Sequence, residues 1–261
     1  MYEEELAFAH ELADAASAIA LEVFGGSFDV RMKPDESPVT EADLRIEAMI
    51  RQRVRERFPK DAVLGEEGGD EGGDDDRARR WIVDPIDGTK NFADGVQIWA
   101  TLIALAIEDR PVVGVVNAPA LGERYAAVLG QGAKLNDEPI RVSRADRVGR
   151  AFVVFGGMAD WLDGPWAPGV QALMRECRRN RGFGDFWGHM LVARGAADVM
   201  IEAQLATWDF AATRIVVEEA GGSMTQLTGE PVEHGASVLV TNGVLHEEIV
   251  ARLRPPSDGD A

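Results

Sequence analysis

A single cysteine, Cys177, stands among the 261 residues. That excludes a disulfide framework within one chain and any thiolate metal site. Its setting, LMRECRRN, reads as ordinary helix. Histidine is sparse too, at 4 residues, and His10, His189, His234 and His246 are scattered without ligand spacing. No stretch reaches the roughly 20 apolar residues of a membrane span. The first residues, MYEEELAFAH, are acidic and helical in pattern, unlike a basic segment followed by an apolar core. These absences predict a soluble cytoplasmic protein. Cations are outnumbered: 27 Lys and Arg against 45 Asp and Glu give a net charge of −18. Such a balance argues against nucleic acids and anionic membranes as partners. Hydrophobic residues, at 46%, suffice for a substantial core, so the chain is long enough for one large domain or two intimately packed halves.

The most informative stretch is Trp81 to Phe92, WIVDPIDGTKNF. Trp81-Ile82-Val83 reads as a short buried strand. Asp84 and Asp87 follow in a tight Asp-Pro-x-Asp-Gly segment, where Pro85 biases Asp84 to an extended shape and Gly88 permits a sharp change of direction. Thr89 stands where a helix could begin. Two hard oxygen ligands, a hydroxyl and free backbone N–H groups at one spot suit a divalent cation and a phosphate. The same dipeptides also suit a polar surface turn, and these residues alone leave both readings open.

Periodicity organises the rest. Residues 2 to about 24 predict a helix with Leu6, Ala9, Ala13, Ala16 and Ala20 on one face, ended by Gly25-Gly26. Val30 to Lys33 reads as a strand and the following PDESP as a polar loop. Thr40 can cap a second helix with Asp43 in its first turn and Ile46, Ile50 and Val54 as its apolar stripe; Pro59 stops it. Ala62 to Leu64 is a short strand that delivers Glu66 and Glu67, and Asp70 through Asp76 reads as a solvated, mobile acidic run. Trp99 to Ile107 and Val112 to Asn117 are near-continuous apolar strands joined by Glu108-Asp109-Arg110. Tyr125 to Leu129 extends the sheet, and Gly130 to Arg141 forms a hairpin with an Asn-Asp turn. A boundary is expected near residue 145, giving an α+β half over 1–145 and an α/β half over 146–261 within one compact unit. The second half predicts a strand at Phe152 to Phe155, a helix at Gly169 to Arg179, a helix at Asp185 to Arg194, a strand at Asp198 to Glu202, a helix at Trp208 to Ala220, a strand at Val238 to Val240 and a helix at Val244 to Leu253. The tail RPPSDGDA is expected to be disordered.

WIVDPIDGTKNF, together with Gly65-Glu66-Glu67 upstream and Trp208-Asp209 in ATWDFAATRIVVEEAGG downstream, resembles the three ordered motifs of the inositol monophosphatase family. The resemblance runs from about Lys33 to about Asn242. It implies a layered αβαβα sandwich and a phosphatase of small phosphate esters using two or three Mg2+ per site. It further implies that Asp84 bridges two metals, that Glu66 and the Ile86 carbonyl complete one, and that Asp87 and Asp209 complete the other, with Glu67 as a further ligand. Asp209 equally suits a first-turn helix acid capped by Thr207. In the implied mechanism a metal-activated water attacks directly, Glu66 and Thr89 orient it, and the phosphate lies on the N–H groups of Gly88 and Thr89. Asp43 is expected to bond the threonine hydroxyl, and Lys33 to approach the site. The resemblance also implies a homodimer and lithium inhibition. Bound cations would reverse the local sign of an acidic protein that otherwise repels phosphate.

Gly184-Asp185-Phe186, together with TKNFADGVQIWATLIAL and LATWDFAATRIVVEEAGG, most resembles the bacterial histidinol-phosphate phosphatase branch of that family. Histidinol phosphate carries an amine and an imidazole, and Asp185 and Glu202 can accept charge-assisted hydrogen bonds from them. Asp185 could instead cap its own helix. His189, one turn further on, is a lesser candidate. The expected function is therefore hydrolysis of histidinol phosphate. The alternative is inositol 1-phosphate or another sugar phosphate, and a non-catalytic metal- or phosphate-binding homologue is the distant alternative.

Overall fold

A computed structural model describes residues 1–26, 30–33, 38–72 and 79–255. The sequence expectations for residues 34–37, 73–76 and 256–261 lie outside the described residues. The chain forms two compact units, Met1–Pro139 with Trp208–Glu219, and Ile140–Thr207 with Ala220–Ala261. The division falls at residue 139 rather than 145, and the segment bearing Asp209 groups with the first unit, not the second.

In chain order the first unit contains α1 (Glu3–Phe24), β1 (Val30–Met32), β2 (Pro38–Thr40), α2 (Glu41–Arg57), β3 (Ala62–Gly65), β4 (Gly69–Glu71), β5 (Arg80–Asp87), α3 (Thr89–Ala93), β6 (Ala100–Ile107), β7 (Arg110–Ala118), β8 (Glu123–Val128), β9 (Ala133–Leu135) and β10 (Glu138–Ile140). Eight strands make a mixed sheet in the order β10-β9-β8-β7-β6-β5-β3-β4. The pair β3 and β5 is parallel, whereas β5, β6, β7, β8 and β9 pair antiparallel in turn. Hairpin turns use Glu108-Asp109 (φ 51 and 63) and Asn136-Asp137 (φ 48 and 69), as the turn residues predict.

The alanine face of α1 is buried together with Ile46, Ile50 and Val54 of α2. Small residues there let the helices lie close to each other and to the sheet. Phe8, Phe58 and Trp81 pack edge-on or tilted at one end of this core, and Phe24, Phe92 and Trp99 at the other. Side chains alternate along β7, so Val113 and Val115 join that core while Gly114 faces the opposite way. The helix Thr207–Glu219, sixth in the chain (α6), covers Gly114. An added Cβ on Gly114 would meet Ile215 and would come within 2.9 Å of the Ala212 carbonyl oxygen. Helices thus cover both faces of this sheet.

The second unit holds β11 (Phe152–Phe155), α4 (Ala167–Glu176), β12 (Arg179–Gly182), α5 (Asp185–Ala193), β13 (Val199–Leu205), β14 (Ser223–Gln226), β15 (Ala236–Thr241) and α7 (His246–Leu253). Its sheet runs β12-β11-β13-β15-β14, with β11 parallel to both neighbours. The helix expected over Gly169 to Arg179 stops at Glu176, and Arg179–Gly182 instead pairs as an edge strand. Its arginines lie exposed while the backbone completes the ladder, so the apolar alternation that marks a strand is missing. Among the described residues no helix is long and apolar enough to cross a membrane.

Candidate active site

The site is built on the end of β5. Asp84 registers with Leu102 of β6, and Asp87 with Ala100, so β5 spends one residue more than its partner between them. Three positions apart, two residues of a regular strand would face opposite ways; this bulge offsets that alternation. Pro85, which has no N–H to lose, sits inside it, and the Thr101 hydroxyl donates to the Pro85 carbonyl at 2.8 Å. Gly88 then turns the chain with φ 81, where a Cβ would lie 2.9 Å from the Ile98 carbonyl oxygen. α3 follows at once, and the Thr89 hydroxyl donates to the Ile86 carbonyl at 2.8 Å.

Asp209 lies in the first turn of α6. One carboxylate oxygen from each of Asp84, Asp87 and Asp209 falls within 4.8 Å of the others, a group that could hold a metal ion. Asp84 is fully buried, and its Oδ1 has no hydrogen-bond partner. Burial first, and then the charges of Glu66, Asp87, Asp209 and Asp43, push its pKa well above the ordinary carboxylate range. A buried carboxylate oxygen without a donor, on a residue clustered with two other acids, fits a cation ligand. The all-oxygen donor set suits a hard dication.

Glu66 and Glu67 sit in the turn between β3 and β4, which pair antiparallel. Of the run expected to be solvated, Asp70 and Glu71 are exposed but belong to the return strand of a short hairpin, with Asp70 paired to Arg80. Lys33 Nζ lies 2.6 Å from Glu66 and 2.9 Å from Glu67. Burial lowers the Lys33 pKa, but the bonds to Glu66 and Glu67 outweigh it and the ammonium is held above its usual range. Burial and the charge of Glu66 raise Glu67, against the bond from Lys33.

Behind the turn stands a pair the sequence reading missed. Glu47 accepts from the N–H groups of Glu67 at 2.8 Å and Gly68 at 2.7 Å. Arg51, one helical turn on, bonds Glu47 at 2.8 Å and donates to the Gly69 carbonyl at 2.7 Å. Both are almost fully buried. The available signal was a Glu and an Arg at i,i+4 flanking the Ile46, Ile50 and Val54 stripe.

Asp43 is placed differently from the expectation. Its Oδ2 accepts from the Thr40 N–H at 2.8 Å and the Thr40 hydroxyl at 2.5 Å, closing a capping box at the start of α2. It makes no bond to Thr89, whose hydroxyl is turned to the Ile86 carbonyl. The other oxygen, Oδ1, is buried without a partner. Burial raises Asp43 to about 6 against the Thr40 bonds, with Glu67 and Glu66 adding to the rise.

The second unit brings Asp185, His189 and Glu202 together. Glu202 accepts from the Asp185 N–H at 3.0 Å and lies 3.2 Å from His189 Nε2. Gly184 is the N-cap of α5, and Asp185 is its first residue.

Comparison with known proteins identifies the family. The profile of the inositol monophosphatase family matches residues 1–256. A histidinol-phosphatase of Streptomyces coelicolor is 42% identical over 97% of this chain and 97% of its own. One of Mycobacterium tuberculosis is 43% identical over 97% of this chain and 99% of its own. Among solved structures, the IMPase of Thermotoga maritima superposes with a TM-score of 0.86 at 31% identity, covering 96% of each chain. With three ordered acidic motifs, a matching fold and a profile match over nearly its full length, the chain belongs to the inositol monophosphatase family.

Proposed function

We propose that this chain is a magnesium-dependent phosphomonoesterase that hydrolyses histidinol phosphate to histidinol and inorganic phosphate. The cluster of Asp84, Asp87 and Asp209 carries the reaction class, because acids packed this closely call for a dication. The ester is supported by the two histidinol-phosphatases that are 42% and 43% identical to nearly the whole chain. Asp84, Glu66 and the Ile86 carbonyl would hold one Mg2+, Asp84, Asp87 and Asp209 a second, and Glu67 would contribute to a third. When bound, the ions supply Lewis-acid polarisation and a lowered pKa for water.

Glu66 and Thr89 orient the attacking water, and Glu66 accepts its proton. The Thr89 hydroxyl can do this while donating to Ile86, since it keeps two acceptor lone pairs. The N–H groups of Gly88 and Thr89 bind the phosphate. α3 spans only 5 residues, so these donors matter more than a helix macrodipole. Asp43 supports the site through its buried charge, and Lys33 balances Glu66 and Glu67. The P–O ester bond breaks as the water oxygen bonds phosphorus, the departing alkoxide takes a proton from solvent water, Glu66 returns its proton to solvent, and no phospho-enzyme forms. Asp185 and Glu202 accept from the amine and imidazole of the substrate.

The likeness to an IMPase structure favours inositol 1-phosphate as the second reading. A phosphate-release panel over small esters, with and without Mg2+, separates the two. Histidinol phosphate should give the highest kcat/KM, and a preference for inositol 1-phosphate refutes the choice of ester. Release from no ester at all would leave a non-catalytic homologue. A homodimer is proposed for the assembly, and sedimentation equilibrium tests it.

A further inference from the structure

We propose that His189 is a positioning residue for substrate discrimination, acting through Glu202 on the start of α5; the inference rests on the histidinol phosphate reading above. Glu202 rises from β13 and is 8% exposed. Its Oε1 takes the Asp185 N–H at 3.0 Å and its Oε2 takes His189 Nε2 at 3.2 Å. Both donors belong to α5, one turn apart, so a single carboxylate clamps the first turn of that helix at two points.

The clamp has a task to perform. Asp185 lies at φ 54, in the left-handed region that few non-glycine residues enter and aspartate enters more readily than most, and the Glu202 carboxylate bonds its N–H there. The slot for Glu202 is close-fitting: a Cβ on Gly156 would lie 2.6 Å from its Oε1 and one on Gly184 would lie 3.1 Å from it. Among the described residues, His189 is the only basic side chain within ion-pair distance of Glu202. An ionised carboxylate only accepts, so the contact is a hydrogen bond when His189 presents an N–H at Nε2. His189 is 1% exposed, so substrate does not reach it; its influence passes through Glu202 to Asp185.

The test is steady-state kinetics, with Mg2+, on histidinol phosphate and 4-nitrophenyl phosphate for wild type, His189→Leu, His189→Asn and His189→Gln. Glutamine places an amide N–H near the position of Nε2, leucine removes the donor, and asparagine is polar but too short. Expected for H189L and H189N is a rise of about tenfold in KM for histidinol phosphate, the size of one lost charge-assisted hydrogen bond. Their kcat should stay within about twofold, and 4-nitrophenyl phosphate kinetics should not change. H189Q should restore the wild-type KM. Equal losses on both esters, no loss in H189L and H189N, or no recovery in H189Q each overturn the proposal. If H189L does not fold, H189N and H189Q still decide it. A wild type that prefers inositol 1-phosphate refutes the choice of ester instead, a separate outcome read from the unsubstituted enzyme.

Discussion

Asparagine at position 43 should make the metal-free protein more stable and the enzyme less active. Asp43 is buried, and its pKa is raised from 3.8 to about 6. At about 1.4 kcal/mol for each tenfold change in acidity, keeping it ionised in the folded state costs about 3 kcal/mol. The sign follows from proton binding. Between these two pKa values the folded chain holds more protons than the unfolded one, so stability falls as pH rises through that window and is level above it. Asparagine removes the cost. Its amide oxygen can still accept from Thr40, and its NH2 replaces the partnerless Oδ1. In EDTA, D43N should therefore gain about 3 kcal/mol at pH 8, about half of that at pH 5, and nothing below about pH 3. For a chain of this size that is a rise of roughly 6–12 °C in Tm at pH 8. Differential scanning calorimetry at the two pH values reads it directly. Activity with Mg2+ should fall, because a charge beside Glu66 and Glu67 has been lost. A D43N protein that melts below wild type at pH 8, or whose gain does not depend on pH, would refute the assignment of Asp43 as a buried acid ionised at a cost.

Other consequences follow from the same geometry. Gly114→Ala forces a methyl against Ile215 and the Ala212 carbonyl; it should cost about 1–3 kcal/mol and raise the Mg2+ midpoint by displacing α6, and an unchanged melt with unchanged Mg2+ titration would count against it. Asp87→Asn should abolish Mg2+-dependent phosphate release by at least about a hundredfold while leaving the EDTA melting point no lower, since one of three clustered charges is removed; undiminished hydrolysis would exclude the metal assignment. Mg2+ at about a hundred times its Kd should stabilise wild type by about 2.7 kcal/mol, and no calorimetric shift would mean no binding. Glu47→Gln breaks the buried pair with Arg51 and should cost about 3 kcal/mol, with faster amide hydrogen exchange at Glu67 and Gly68; unaltered exchange there would show that the turn is held by other means.

The sequence made some of this legible because the signals were local. The Thr40 cap, the alanine face of α1, the buried runs of β6 and β7 and the Asp-Pro-x-Asp-Gly segment all state their conformation within a few residues. What escaped depends on contacts distant along the chain. The bulge that reorients Asp84 relative to Asp87 exists only in the register of β5 against β6. The approach of α6, which bears Asp209, to β7 depends on Gly114, whose missing side chain admits it. β4 and β12 carry charged or glycine residues with no alternation, because one is a short hairpin return and the other an edge strand. Asp43 was correctly placed in a first helical turn, but its bond goes to the capping threonine three residues back and not to the threonine of the motif. The burial of Glu47 and Arg51 hid in plain view, since polar residues beside an apolar stripe ordinarily face water.

These corrections converge on α2. One helix buries Ile46, Ile50 and Val54 in the core, closes its own start through Thr40 and Asp43, and in its next turns uses Glu47 and Arg51 to hold the backbone of Glu67 to Gly69. Nothing on it is proposed to bind metal directly. Yet the acids that would do so are borne by a strand end, a hairpin turn and a helix start, and only the strand end is rigid by itself. The turn needs an external anchor, and a neutral partner would supply it less well: a carboxylate accepting two N–H groups makes stronger bonds than an amide can. The guanidinium then balances the carboxylate, so the anchor adds no net charge beside a cluster already crowded with acids. An acid without such a partner would raise the electrostatic cost that Asp84 and Asp43 already carry. That accounts for a buried ion pair in a position where an apolar pair would pack more cheaply.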